Sequence, residues 1–258
     1  MGSSRWLCLP LLAVLIGILA ACSPLAANPT HERILPDEPT LPPPTVIGAP
    51  TAVKVSPFSE YRVVMALDTA GRRLEGKQRV TFPNHTGVDL EEIVFRLYPN
   101  LPQYGGAMSV GPVWVDGERL SSSLRADDTS LVVPLGRPLP PEASVTLELT
   151  FDIEIPVKET GYSLFGKSQG IWSLPDAYPL LAVHDGAAWH EDIAPAHGDA
   201  VFADAALYDV TLTLPPTQTL VTTGSVLSET LDLNGQKSYR IRGGPFREFA
   251  FLASDQYQ

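Results

Sequence analysis

Between residues 144 and 155 the chain reads SVTLELTFDIEI, with Val145, Leu147, Leu149, Phe151, Ile153 and Ile155 at every second position. Side chains alternate between the two faces of a strand, so the pattern predicts a long strand with one buried face. Residues 207–214 repeat it. Tyr208, Val210, Leu212 and Leu214 form an apolar face, and Leu207, Asp209, Thr211 and Thr213 the other. Pro215 and Pro216 stop this strand, because proline has no N–H for the ladder. Shorter runs predict strands over 61–68, 73–82, 90–98, 113–115, 130–135, 219–223, 225–233, 238–242 and 248–253. Within 90–98, Ile93, Phe95 and Leu97 share a face and Arg96 takes the other. Asp116-Gly117 and Asn234-Gly235 are the strongest hairpin turns. The strand from Ser130 is expected to end at Gly136 and the prolines that follow. Residues 172–179, WSLPDAYP, break the rhythm. They read as an irregular aromatic loop, either packing under a sheet edge or walling a cleft. No amphipathic helix longer than two turns and no fixed-period repeat is found. The expected fold class is all-β, a multi-stranded β-sandwich.

The start of the chain is different. Residues 7–21 are almost wholly apolar after a single basic residue, Arg5, and end in Leu19-Ala20-Ala21-Cys22. That describes a secretory signal over 1–21. The last four residues resemble the bacterial lipobox, which implies lipidation of Cys22 and a membrane anchor outside the cytoplasm, in the cell envelope. Multiple acyl chains make a stable anchor where one binds only marginally. Residues 22–57 are dense in proline and lack apolar period, so they are expected to form a disordered tether. The domain is expected over 58–258. Cys8 lies within the signal, leaving no thiol for a disulfide or a sulfur-ligated metal. The net charge of −11 argues against nucleic acid as a partner.

Candidate chemistry is sparse. His184, His190, Glu191, His197 and Asp199 fall within sixteen residues, and zinc accepts imidazole and carboxylate. Their spacing matches no ligand motif, and Ala194 stands where H-E-x-x-H needs its second histidine. A polar loop crossing a sheet edge is the simpler reading. His31-Glu32 fails the same test at Leu35. Ser163 and Ser168 lack the G-x-S-x-G context of a serine nucleophile. Asp176 with Asp185 or Asp199 offers a carboxylate pair with nothing to single it out as acid and base. Asn84-His85-Thr86 fits a glycosylation sequon that a bacterial lipoprotein would rarely use. No catalytic and no metal-binding residue is therefore expected in this chain.

Several pieces occur in an informative order. Leu74-Glu75-Gly76 leads to Val80-Thr81-Phe82-Pro83-Asn84. Then come Phe95-Arg96-Leu97-Tyr98-Pro99-Asn100, Tyr178-Pro179-Leu180-Leu181-Ala182-Val183, and His197-Gly198-Asp199 ahead of Tyr208-Asp209-Val210-Thr211-Leu212. Val221-Thr222-Thr223-Gly224 and Arg247-Glu248-Phe249-Ala250-Phe251 close the series. Together they resemble the N-terminal β domain of the aminopeptidase N family of zinc metallopeptidases. The resemblance implies a saddle-like, non-catalytic β domain. Zinc, H-E-x-x-H and the catalytic tyrosine would belong to a following domain, expected to be missing because the chain stops at Gln258. No cofactor is then expected in this chain, and its partner would be that catalytic domain or a peptide. The family also implies a loop near the substrate's amino end, here within 171–182, with Trp172, Asp176, Tyr178 and Pro179 as possible cleft residues. The family's characteristic glutamine-containing loop is not present. The expected role is scaffold and cleft wall of a membrane-anchored metalloaminopeptidase-like lipoprotein. The alternative is a stand-alone surface lipoprotein that binds peptide or protein.

Overall fold

Three β-sheets share one hydrophobic core. The computed structural model describes residues 56–161, 163–193, 195 and 200–257. The expected signal, Cys22 and the tether up to residue 55 lie outside the described residues, as do His197 and Asp199. The first strands are β1 (Ser59–Asp68), β2 (Arg73–Pro83) and β3 (Leu90–Arg96), followed by a single 3-10 turn, Tyr98–Asn100. Next come β4 (Ala107–Val115), β5 (Glu118–Leu120), β6 (Ser123–Arg125), β7 (Ser130–Leu139) and β8 (Ser144–Glu154). The short strands β9 (Val157–Lys158), β10 (Gly166–Ser168), β11 (Ile171–Pro175) and β12 (Leu180–Leu181) follow. The chain ends with β13 (Ala206–Leu214), β14 (Thr219–Thr222), β15 (Ser225–Leu231), β16 (Lys237–Phe246) and β17 (Ala250–Ser254). Among the described residues there is no α-helix, and the all-β sandwich is as expected.

The large sheet runs β15-β16-β13-β1-β2-β8-β4-β5, the second β14-β17-β11-β10-β9, and the third β12-β3-β7-β6. Strand β8 buries Val145, Leu147, Leu149, Phe151 and Ile153 and exposes the residues between them or leaves them half-buried. In β13 the apolar set Tyr208, Val210, Leu212 and Leu214 is buried as the alternation requires. Strand β13 pairs in parallel with β1, setting Tyr61 beside Tyr208. Gly76 on β2 faces Phe151, whose ring occupies the space a side chain at Gly76 would take.

Three expectations are corrected. Of the irregular loop expected over 172–179 only residues 176–179 are irregular; residues 171–175 are strand. They form β11, hydrogen-bonded on both sides, to β10 and to β17, with Trp172 and Leu174 buried. Strand β7 does not stop at Gly136. It continues through Pro138 to Leu139, because a shift between Leu90/Glu92 and Leu139/Pro134 takes up the extra residues, and bulges tolerate proline. Strand β4 starts at Ala107 rather than Val113, its Gly111-Pro112 absorbed by a register shift between Val110 and Val113. Arg96 takes the face opposite Phe95 as expected, and that face is covered at this end of β3.

The sequon asparagine holds a loop. Asn84 is buried, and its amide donates to the carbonyls of Val88 and Leu139, both at 2.8 Å. Its oxygen accepts from the Thr86 amide and hydroxyl.

Candidate functional site

Strand β11 leads into the turn that joins the sheets. Asp176 occupies the left-handed region, with φ of 49°, which aspartate tolerates better than most residues. Its amide donates to the Phe249 carbonyl at 3.2 Å. Tyr178 then enters the core edge-on to Tyr61 and Tyr208, which stack on each other at 5.1 Å. The Tyr178 hydroxyl donates to that of Tyr208 and accepts from the Phe249 amide, each at 3.1 Å. The Tyr61 hydroxyl accepts from the Leu181 amide at 2.8 Å. Buried Gln78 on β2 donates to the Pro179 carbonyl at 2.9 Å.

These contacts tie the turn to β1, β2, β13 and β17. Trp172, Asp176, Tyr178 and Pro179 are all buried. Burial first, and then neighbouring phenols and Asp176, raise the Tyr61 and Tyr178 pKa values well above ordinary. Burial raises Tyr208 too. The three phenols therefore stay neutral and keep their hydrogens for these bonds.

Beyond β12 the chain crosses the outer side of the third sheet. Ala182 donates to Val94 and His190 to Val183 through their backbones. Trp189 packs on Val94, Val132 and Ala182 and edge-on to His184 at 5.0 Å. Underneath lies Arg96, donating to the carbonyls of His190 at 3.2 Å and Asp192 at 2.9 Å. Burial lowers its pKa from the ordinary arginine value. A buried guanidinium needs acceptors, and here loop carbonyls supply them. Arg96 is the positioning residue that alternation missed. The available signal was an arginine set between Val94, Phe95 and Leu97 with no polar neighbour beside it.

Asp185 accepts from the amides of Ala187 at 2.8 Å and Ala188 at 2.9 Å, and its other oxygen meets His190 Nε2 at 3.1 Å. The two amides, Ala188 first, with His190 behind them, hold its carboxyl at about 2. His184 Nδ1 accepts from the Gly186 amide at 3.1 Å, and burial lowers its pKa. Glu191 pairs with Arg125 at 3.0 Å.

The described candidate ligands of the histidine loop, His184, His190 and Glu191, are therefore directed at protein partners. Among the described residues no three His, Cys, Asp or Glu side chains form a group able to hold a metal ion, and the described part of this loop does not fit zinc. The serines are structural too. Ser163 donates to Phe165 and Ser168 to Gly161. Asp176 sits among the tyrosines whereas Asp185 caps a surface turn. Hollows lie elsewhere: one of about 600 Å³ is lined by Asn100, Met108, Ser123 and Asp128 among others, and others lie on the outer face of the large sheet. One of the latter, of about 450 Å³, is lined by Glu60, Arg62, Arg79, Asp209 and Arg242 among others.

Neither a protein-family model nor a curated protein matches this sequence. Solved structures do match the fold. The M1 zinc metallopeptidase from Deinococcus radiodurans aligns with a TM-score of 0.51 and 18% identity, over 76% of this chain and 42% of that one. A mutant of that enzyme gives 0.52 and 17% over the same shares. Another structure of the mutant, bound to a Tyr-Ser-Ala substrate, gives 0.51 and 17%. This chain thus shares a fold with M1, or aminopeptidase N family, zinc metallopeptidases, and it spans less than half of the length of those it matches.

A depressed carboxyl contributes order that is complete above its ordinary pKa of about 3.9 and lost as pH falls through the folded value. Hydrogen exchange at the Ala187 and Ala188 amides, referenced to core amides, should therefore stay slow at neutral pH. It should move toward the rate of an Asp185→Ala variant as pH drops from about 4 to about 2. Identical rates in parent and variant at neutral pH would contradict the cap.

Proposed function

We propose that this chain is the non-catalytic β domain of a membrane-anchored metalloaminopeptidase-like lipoprotein. It provides scaffold and a cleft wall to a zinc domain on polypeptide outside residues 56–257. The observation that carries this reading is the fold match, which takes in most of this chain and less than half of each enzyme. The commitment of His184, His190 and Glu191 to protein partners supports it. In this reading the turn after β11 forms the wall. Trp172, Asp176, Tyr178 and Pro179 fix its shape from behind, since their side chains are buried. On the same reading exposed Phe202, edge-on to His190, and exposed Ile193 belong to the face on which the zinc domain would dock. Zinc would supply Lewis-acid chemistry in that other domain.

The full chain assayed with zinc on an aminoacyl-nitroanilide is expected to show no turnover above the blank. Turnover that His190→Ala abolishes would overturn the reading in favour of an independent hydrolase.

Leu19-Ala20-Ala21-Cys22 supports the lipid anchor and a location in the cell envelope. Fractionation of cells carrying Cys22→Ser should move the protein from the membrane to the soluble fraction. A variant that stays with the membrane would rule the anchor out.

A further inference from the structure

Strand β15 lies at one end of the large sheet, with β16 on one side and, among the described residues, no strand on the other. All seven of its residues are exposed, so neither of its faces packs on the core. Yet it is not polar. Val226, Leu227 and Leu231 are exposed, as is Leu233 just beyond it. Large apolar residues scattered singly on a surface are ordinary, but four within eight positions along one edge are a patch. A free edge also presents a row of unpaired backbone N–H and C=O groups, which proteins usually guard with lysine, proline or a bulge. Residues 225–231 contain neither lysine nor proline. The one bulge, at Leu227 between Val226 and Ser228, leaves Ser228, Glu229, Thr230 and Leu231 in regular pairing with β16.

We infer that β15 is the contact strand of a symmetric dimer, pairing antiparallel with β15 of a second copy so that two large sheets join into one. Charge favours this edge for self-association. A chain of net charge −11 repels its own copy over most of its surface. Strand β15 carries a single charge, Glu229, already faced by Lys237 at 4.0 Å. Two-fold symmetry places the residue on the axis opposite itself. Like charges directly opposite are destabilising, so the axis does not pass Glu229. It passes Ser228 or Thr230. The first sets Val226 against Thr230, a β-branched pair. The second sets Thr230 against its copy and Leu227 against Leu233, covering the most exposed leucine. Edge addition of this kind draws affinity from main-chain hydrogen bonds and register from alternate side chains.

The test is sedimentation velocity on the full chain in mild detergent, from about 5 to about 200 µM, where a small interface associates. The parent should show a monomer–dimer equilibrium. Joint Ser228→Lys and Thr230→Lys substitution should weaken it at least about tenfold, since either axis then opposes two lysines. Both positions are exposed, so near-ultraviolet circular dichroism should not change. On a Cys8→Ser, Cys22→Ser background, either Ser228→Cys or Thr230→Cys should give a disulfide dimer on oxidation, while Thr150→Cys in mid-sheet should not. A parent that sediments as a monomer throughout would overturn the inference. So would association that the two lysines leave intact, or cross-linking equal at Thr150.

Discussion

The hydroxyl of Tyr178 holds this fold at its least regular point. It lies in the core and makes two bonds, one to the Tyr208 hydroxyl and one from the Phe249 amide. Around it Tyr61 stacks on Tyr208 and takes the Leu181 amide. Strands β1 and β13 run side by side in parallel, an arrangement that needs a long crossover rather than a hairpin. The crossover contains all the material from β2 to β12. The tyrosine joint fastens its final turn back onto the two strands. Buried polar groups left without partners are costly, so the joint is specific: a slip of the turn would strand two backbone amides and three phenols.

Outside that joint the molecule separates its apolar and ionic parts by strand face. Apart from Val64 and the edge strand β15, the large sheet buries most of its apolar residues and pairs charges across its outer face, where Asp209 receives both Arg240 and Arg242 and Asp152 receives Arg73. Arginine 240 chiefly, with Arg242, holds the Asp209 carboxyl at about 2. Pairs as exposed as these contribute little to stability. They keep a broad open sheet face wet. Arg96 is the exception, a buried cation whose charge orders the histidine loop above it. This loop carries the residues most suggestive of catalysis, and among the described ones His184, His190 and Glu191 are held by the Gly186 amide, Asp185 and Arg125.

The half-buried strands were legible in the sequence because they have one wet face. Alternation in β8 and β13 needs a polar partner for every apolar residue, and both strands have it. Strand β11 was not legible. It lies within its sheet, in a stretch whose tryptophan and prolines resemble a loop. The cover over Arg96 was not legible for a related reason: alternation assigns faces but not what lies over them, and the cover comes from residues about 90 positions later. Pro138 and Gly111-Pro112 read as strand ends because local preference cannot show a bulge that a neighbouring strand absorbs. In the candidate site, the order of family-like motifs led to the fold that the solved structures share. The roles of Tyr61, Tyr178 and Tyr208 as one joint depend on contacts between residues more than 100 positions apart.

If the tyrosine joint sets the shape of the turn, removing one hydroxyl should be felt through the whole domain. Equilibrium urea unfolding of Tyr178→Phe measures this directly. The ring stays, so packing is preserved, but the Phe249 amide loses its acceptor and Tyr208 its donor. The expected loss is about 1–3 kcal/mol relative to the parent, the cost of a buried donor left unsatisfied. A variant indistinguishable from the parent, with the same midpoint and slope, would contradict the joint as the constraint on which the fold depends.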